Sequence, residues 1–231
     1  SSQPRTPVFT YSIASILDLD SSKDNFLATQ VWPSARVAAQ ALLQYDPSSQ
    51  MSSSKQWKLC EFGCGPGLPS LAAAHTHHYS QVVATDVDEF CLELVGAAAK
   101  DQGLEHTVQT QVLDLTKDPK HVLEGNVDAQ SASYSWMKDI DMFIMADIFE
   151  NAQVAQGAAR WTMFLLNNPR HRPRIWVFAQ SDRAQREIYL KTLREIYGKE
   201  AENLKWLPLE ECDEKDPLWL VDLDETEVEY G

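Results

Sequence analysis

The sequence predicts an α/β fold in which a mainly parallel sheet carries helices on both faces. Short apolar segments alternate with helical segments along most of the 231-residue chain, and a glycine-rich turn follows the first apolar segment. Such alternation builds βαβ units, and right-handed crossovers place the helices on both faces of one sheet. We therefore expect a Rossmann-like architecture with a seven-stranded sheet.

The first half of the chain begins this alternation. A helix is predicted over 34–43 because small and apolar residues recur at helical spacing directly after Pro33. The short apolar run 57–62 leads into glycines, and the alanine-rich segment 69–77 follows it as a helix. The next predicted elements are a strand over 81–85, a helix over 88–100 and a strand over 107–113.

The second half continues the alternation until its last two strands. No helix separates these two, so they are expected to form an antiparallel hairpin at the edge of the sheet. Residues 1–30 are predicted as an N-terminal arm and 31–231 as one domain, in which 116–138 is the least regular stretch. The predicted elements are strands 139–146, 174–179, 203–207 and 218–223 and helices 152–166 and 182–197.

Composition narrows the class of partner. The formal net charge of −14 argues against binding nucleic acid, because phosphate contacts need clustered lysine and arginine. It favours a basic protein substrate, although acidic charge also simply keeps proteins in solution. No run approaches the roughly 18 apolar residues that span a membrane. Four cysteines without a CxxC pair indicate a reducing compartment, so we expect the cytoplasm, with the nucleus as a second location. We also expect a monomer.

The most informative segment is the turn after the first strand. Glu61 precedes a loop in which Gly63, Cys64, Gly65 and Gly67 connect the strand to the next helix. The glycine spacing departs from the dinucleotide fingerprint, and no lysine follows as in a phosphate-binding loop. Glu61 would repel a diphosphate but suits a ligand with a cationic amino-acid end. The turn therefore predicts a cofactor of that kind, with a purely structural turn as the alternative.

Two further acidic residues follow predicted strands. Asp86, at the end of the second strand, suits the two ribose hydroxyls of a nucleoside, and we include the adjacent Val87 in the same site. The alternative for Asp86 is that it caps the following helix. Asp114 can accept a hydrogen bond from an adenine amino group while Leu115 packs on the base; a surface turn is the alternative.

These residues, together with Val-Trp-Pro-Ser over 31–34, resemble the methyltransferase-like 21 group of seven-β-strand protein methyltransferases, also called family 16. The second matching segment reads Glu-Phe-Gly-Cys-Gly-Pro-Gly-Leu-Pro-Ser-Leu over 61–71. The resemblance covers about residues 30–180 and implies S-adenosyl-L-methionine as cofactor, S-adenosyl-L-homocysteine as product and a protein side-chain nitrogen, most often lysine, as methyl acceptor. The pocket that it implies uses Trp32, Glu61, Gly63, Asp86, Asp114 and Ala146.

The chain departs from this group after the fourth strand. The group usually has Asp-x-x-Tyr or Asp-x-x-Phe near the acceptor, whereas here Asp147 is followed by Phe149 and then Glu150. We predict that Asp147 or Glu150 orients the acceptor amine and that Phe149 forms a wall of its channel. For Asp147, a helix N-cap is the equal alternative. The shift leaves arginine and histidine open as acceptors.

Two other function classes remain open at this point. The same fold serves many acceptors, so a small-molecule methyltransferase is the first, and a lid formed by residues 1–30 would favour it. A non-catalytic binding module is the second. No metal site is expected, because His75, His77 and His78 end a helix without the i, i+4 spacing of helical metal ligands.

Overall fold

A computed structural model describes residues 7–11, 30–47, 56–124, 131–168, 171–213 and 215–223. Its centre is a six-stranded sheet in the order β3-β2-β1-β4-β5-β6, with all neighbouring strands parallel. The strands are β1 (Trp57–Phe62), β2 (Tyr79–Asp86), β3 (Val108–Val112), β4 (Met142–Ala146), β5 (Arg174–Gln180) and β6 (Leu218–Leu223). The helices are α1 (Pro33–Gln44), α2 (Leu68–His75), α3 (Glu89–Asp101), α4 (Pro119–Glu124), α5 (Ala152–Leu166) and α6 (Gln185–Tyr197).

The strand order reverses between β1 and β4, and this reversal positions the candidate site. β1 pairs with β2 on one side and with β4 on the other, so the chain winds outward from β1 in both directions. In doubly wound sheets, ligands bind outside the carboxyl ends of the strands at such a switch point. The predicted Rossmann-like α/β architecture is therefore confirmed.

Both faces of the sheet are covered by apolar layers, which explains why the strands are apolar almost throughout. Alternate residues of each strand point to opposite faces. Leu59 and Ile144 pack with α1, α2 and α3, whereas Phe62 and Phe143 pack with α5 and α6. The ring of Phe62 lies 5.6 Å from that of Trp161 on α5, so an aromatic contact joins this helix to the sheet.

The prediction of an antiparallel C-terminal hairpin is wrong for the described part of the chain. β6 runs parallel to β5, and the predicted strand 203–207 contributes only one bridge, between Leu207 and Val221, which is also parallel. Instead of entering the sheet, this segment places the Trp206 ring 6.1 Å from that of Tyr189 on α6. The stretch from α6 to β6 thus acts as one complete crossover. It returns the chain to the same end of the sheet, and the described sheet has six strands.

Only parts of two irregular regions are described. The predicted irregular stretch 116–138 contains α4 and most of a 3₁₀ helix over 131–139. Of the predicted arm, 7–11 and residue 30 are described, and the remainder lies outside the described residues. The backbone of Phe9 exchanges hydrogen bonds of 3.2 and 2.8 Å with the Gln102 side chain after α3. No helix in the described ranges is long and apolar enough to cross a membrane.

Candidate active site

The glycine turn adopts a backbone that glycine permits and other residues rarely accept. Gly63, Gly65 and Gly67 have φ angles of +63°, +47° and +71°. Within the turn, the Gly67 amide donates to the Cys64 carbonyl at 2.8 Å, and the Cys64 amide donates to Thr85 of β2 at the same distance. The turn is therefore fixed to the end of β2 and lies at the carboxyl end of the sheet.

Two of these glycines also allow close packing. A Cβ atom on Gly63 would lie 2.6 Å from Cγ2 of Ile148, and one on Gly67 would lie 2.6 Å from Cγ2 of Val95. Both distances are far below ordinary carbon contacts of 3.4–4 Å. The turn thus brings β1, α3 and the segment after β4 closer together than a side chain would permit.

Glu61 is a buried carboxylate beneath this turn. Its side chain is 1% exposed, and its Oε2 accepts hydrogen bonds from the amide and the hydroxyl of Ser70 at 2.9 and 2.5 Å. Burial raises the pKa of Glu61 to about 8, against the opposing effect of the Ser70 hydrogen bonds. Within the described residues no hydrogen bond is made to Oε1, so this oxygen is available to a cationic group.

Asp86 holds the end of β2 against the glycine turn. Its Oδ2 accepts from the Gly65 amide at 2.9 Å and its Oδ1 from the Asp88 amide at 3.0 Å, and burial raises the pKa of Asp86. The N-cap of α3 is Asp88, whose side chain accepts from the Phe90 amide, so Asp86 is not the helix cap. The adjacent Val87 is 60% exposed and provides apolar surface beside this carboxylate.

These groups surround a small cavity of about 50 Å³. Three carboxylate residues line it, Glu61, Asp86 and Asp147, and its described lining contains no lysine or arginine. Ligand pockets usually measure about 300–1,000 Å³, so a whole cofactor enters only if the walls separate. The lining residues are Gln30, Val31, Trp32, Ala35, Glu61, Gly63, Cys64, Gly65, Pro66, Leu68, Asp86, Ala146 and Asp147.

Of the two predicted roles of Asp147, the structure excludes that of the helix N-cap. The N-cap of α5 is Asn151, whose side chain accepts from the Val154 amide at 3.0 Å. The Asp147 carboxylate instead receives two hydrogen bonds from Arg183, each 2.9 Å long, and its side chain is 1% exposed. This pairing occupies both carboxylate oxygens, and the role of Asp147 toward an acceptor amine stays a prediction.

Phe149 and Glu150, which follow in the same segment, differ in exposure. Phe149 is 1% exposed, and its ring lies 5.3 Å from Tyr189 and 5.9 Å from Trp206. Phe149 is therefore packed in the core, and its role as a wall of the acceptor channel stays a prediction. Glu150 is exposed; partial desolvation, with the nearby charges of Asp86 and Asp147, raises the pKa of Glu150.

The predicted adenine site lies outside the small cavity. Asp114 accepts hydrogen bonds from the Thr116 amide and hydroxyl at 2.9 and 2.6 Å. Desolvation raises the pKa of Asp114, but the Thr116 hydrogen bonds and Lys117 outweigh it and the net shift is downward. Leu115 is buried in the layer that packs with α5. The roles of Asp114 and Leu115 toward a base stay predictions.

The structure thus brings together part of the predicted set. Gly67 and Val87 lie outside the cavity lining, as Asp114 and Leu115 do. Sequence reasoning missed Arg183, because its partner Asp147 is 36 residues away and no local pattern links them. The predicted residues that do line the cavity are Trp32, Glu61, Gly63, Cys64, Gly65, Asp86, Ala146 and Asp147.

A larger cavity of about 1150 Å³ lies at the opposite end of the sheet. Lys58 and Asp139, near the amino ends of β1 and β4, belong to its lining. Ligands of doubly wound sheets bind at the carboxyl ends, so the small cavity is the candidate site despite its size. In the described ranges, no group of histidine, cysteine and acidic residues could hold a metal ion.

Comparison with known families decides the assignment of this site. The model of a family described as lysine methyltransferase matches residues 13–195, which is most of the chain. The chain belongs to this lysine methyltransferase family. The family is the class I S-adenosylmethionine-dependent methyltransferase family 16 that the sequence motifs indicated.

Solved structures with a related fold are distant in sequence. Human methyltransferase 10 domain containing protein is 12% identical, with 61% of this methyltransferase and 60% of that chain covered and a TM-score of 0.38. The delta-N METTL16 MTase domain has the same identity and coverage and a TM-score of 0.39. Geranyl diphosphate methyltransferase is 14% identical, with coverages of 55% and 41% and a TM-score of 0.34. The methyltransferase therefore spans between 41% and 60% of these chains. No curated protein sequence matches it.

The chemistry of the cavity fits S-adenosylmethionine, the cofactor of this methyltransferase. The cofactor carries a sulfonium and an ammonium cation, and three carboxylate residues line the cavity. The free oxygen of Glu61 would hold the ammonium group, and the glycine turn lets the methionine portion approach the backbone. Asp86 would accept from the ribose hydroxyls, as its position after β2 suggests.

Proposed function

We propose that this methyltransferase transfers a methyl group from S-adenosylmethionine to a side-chain nitrogen of a protein, with lysine as the favoured acceptor. One observation carries the cofactor part of the proposal: the cavity at the switch point is lined by Glu61, Asp86 and the Arg183-paired Asp147, and its described lining contains no basic residue. Such a cavity favours a cationic cofactor over a diphosphate. The lysine methyltransferase family supports lysine as acceptor.

The residues of the chain contribute mainly by positioning. The cofactor supplies a methyl group on a good leaving group, the sulfonium sulfur. The acceptor nitrogen must approach the methyl carbon at roughly 3–3.5 Å in line with the carbon–sulfur bond. An ammonium side chain must first lose its proton, because the reference pKa of lysine is about 10.4. That proton would pass to solvent water, and transfer would then form the nitrogen–carbon bond while the carbon–sulfur bond breaks with its electron pair left on sulfur.

Glu150 is the carboxylate that we assign to the acceptor. Asp147 is paired with Arg183, and Glu61 is buried. Glu150, in contrast, is exposed, and the charges of Asp86 and Asp147 contribute to its raised pKa, so it lies close to both. An exposed carboxylate beside the cavity can attract a basic side chain and accept its hydrogen bond. This position also agrees with a basic protein substrate, which the charge of −14 favours.

Replacement of Glu150 by glutamine is expected to slow methyl transfer about tenfold while leaving cofactor affinity within about twofold, because only the acceptor loses its carboxylate partner. The transfer rate is measured at saturating cofactor on a substrate found in the experiment below, and the affinity by calorimetry. Exposed Glu93, on the outer side of α3, provides the control as Glu93→Gln. A Glu150→Gln variant that loses cofactor binding would place Glu150 in the cofactor pocket instead.

Methyl transfer itself is tested with isotopically labelled S-adenosylmethionine and a cell lysate. The expected result is a labelled protein band whose acid hydrolysate contains methyl-lysine. Methyl-arginine or methyl-histidine would correct the acceptor, and label found only in the small-molecule fraction would identify a small-molecule methyltransferase. The lid that favours this second class falls on residues 1–30, which are mostly outside the described residues. Calorimetry without cofactor binding would indicate a non-catalytic module.

We further propose a monomeric enzyme of the cytoplasm, with the nucleus as second location, that binds neither nucleic acid nor membranes.

A further inference from the structure

Three side chains from distant parts of the chain meet at the edge of the cavity. The Arg183 guanidinium, after β5, donates from Nε and Nη2 to the two carboxylate oxygens of Asp147, each at 2.9 Å. The same guanidinium lies over the indole ring of Trp32, with its central carbon 4.7 Å from the ring centroid. Trp32 and Asp147 both line the cavity. Arg183 therefore contacts two of its walls at once.

Asp147 needs this partner for two reasons. Its carboxylate is almost fully buried, and a buried charge is costly unless it is paired and hydrogen-bonded. Its backbone also has a φ angle of +58°, in the left-handed region that residues other than glycine rarely adopt. Such a conformation persists only where the surroundings enforce it, and it often marks a functional site. The two-pronged ion pair supplies that constraint.

Trp32 brings the start of α1 to the same guanidinium, since it is the N-cap residue of that helix. The planar Arg183 group stacks on the indole face, which is an attractive arrangement for a cation. Because Gln180 also accepts from Nη2 of Arg183 at 3.3 Å, the guanidinium is held from a third direction. A shift of Arg183 would therefore move the walls formed by Trp32 and Asp147 together.

We propose that Arg183 is a positioning residue of the cofactor pocket, which sets the separation of the Trp32 and Asp147 walls and so determines how well S-adenosylmethionine fits between them. This inference rests on the proposed function. We assign Arg183 an action through its two neighbours, because its contacts are with the Asp147 carboxylate and the Trp32 ring, whereas these two residues line the cavity. It also neutralises Asp147 and leaves Glu150 as the carboxylate for the acceptor.

The chain contains a matched control for this arrangement. Arg186, one helical turn further on, pairs with Asp222 at 2.5 Å and lies over the ring of Trp206 at 5.3 Å. It is thus a second arginine between a carboxylate and an indole, but neither it nor its two partners line the cavity. Lysine keeps the charge at either position and loses both the two-pronged pairing and the stacking.

The experiment compares Arg183→Lys with Arg186→Lys in the full chain, using S-adenosylhomocysteine as the calorimetric probe. We expect Arg183→Lys to weaken binding roughly tenfold and Arg186→Lys to change it less than about twofold, although both lower the thermal midpoint. Equal loss in both variants, or no loss in Arg183→Lys while the wild type binds, overturns the positioning role alone. A wild type that does not bind the probe overturns the proposed function, and this inference with it.

A second variant separates positioning from general destabilisation. Trp32→Leu is expected to weaken binding on its own, and adding Arg183→Lys should then cost clearly less than the roughly tenfold it costs in the wild type, because one of the two walls that Arg183 positions is already released. Two losses that multiply instead would show that Arg183 and Trp32 act independently, and would overturn the proposal.

Discussion

Replacement of Glu61 by glutamine is expected to weaken S-adenosylhomocysteine binding about 100-fold, because the ligand ammonium loses a buried charged partner. The same change is expected to stabilise the ligand-free protein at pH 8. Burial raises the pKa of Glu61 to about 8 in the folded chain, from an ordinary value of 4.5. Binding and stability should therefore change in opposite directions at one residue.

The raised pKa of Glu61 determines whether the free energy of unfolding rises or falls with pH. Below the ordinary pKa of a glutamate, Glu61 is protonated in both the folded and the unfolded chain. Between that value and about 8, the unfolded chain ionises and the folded chain does not, so wild-type stability falls as pH rises through this window. Above about 8 both states are ionised and the loss is complete. Relative to Glu61→Gln, we expect the wild type to lose roughly 5 kcal/mol of unfolding free energy across the window.

Two measurements test these expectations. Denaturant unfolding of both proteins at several pH values gives the difference in free energy of unfolding. Calorimetry at pH 7 in buffers of different ionisation enthalpy counts protons, and the wild type should release about one proton on binding because the ligand ammonium favours ionised Glu61. No proton release by the wild type, or a Glu61→Gln variant with unchanged affinity, would remove Glu61 from the ammonium site.

Features that depend on neighbouring residues in the sequence were predicted correctly, whereas features that depend on contacts between distant residues were not. The β1 strand and the three glycines were predictable because apolar runs and left-handed turns are local. The same local signal failed for 203–207, whose apolar pattern serves packing against α6 instead of strand pairing. Periodicity shows that a segment is half-buried but not which surface buries it.

The candidate site shows the same division. The positions of Glu61 and Asp86 follow from strand ends, which the sequence locates. Asp147 also ends a strand, but its role depends on Arg183 and Trp32, far away in the sequence, and no spacing rule predicts that contact. The left-handed backbone at Asp147 precedes the turn that carries Phe149 into the core. Such a conformation is seldom foreseeable for a residue other than glycine.

Replacement of Gly157 by alanine is expected to destabilise the protein by about 3 kcal/mol, although alanine ordinarily stabilises a helix interior by about 0.5–1 kcal/mol. Gly157 lies within α5, and a Cβ atom there would be 2.1 Å from the carbonyl oxygen and 2.9 Å from the carbonyl carbon of Leu115. Both are backbone atoms, so they cannot move aside as a flexible side chain could.

Gly96→Ala is the matched control, and it should have the opposite sign. Gly96 is an exposed interior residue of α3, and no described atom lies within 4 Å of the position that a Cβ atom would take there. We expect this change to raise the free energy of unfolding by about 1 kcal/mol, through the lower chain entropy of the unfolded state. Denaturant unfolding measures both variants, and two changes of the same sign would contradict the close approach of α5 to Leu115.

The Gly157 variant also tests the predicted adenine site. Displacement of Leu115 would move the adjoining Asp114, which we expect to contact the base, so Gly157→Ala should weaken S-adenosylhomocysteine binding about tenfold at a temperature where the variant is folded. A ligand that lacks the base, such as methionine at high concentration, should lose no affinity beyond about twofold. Equal losses for both ligands would indicate a general loosening of the pocket, and unchanged binding of both would remove Asp114 and Leu115 from the cofactor site.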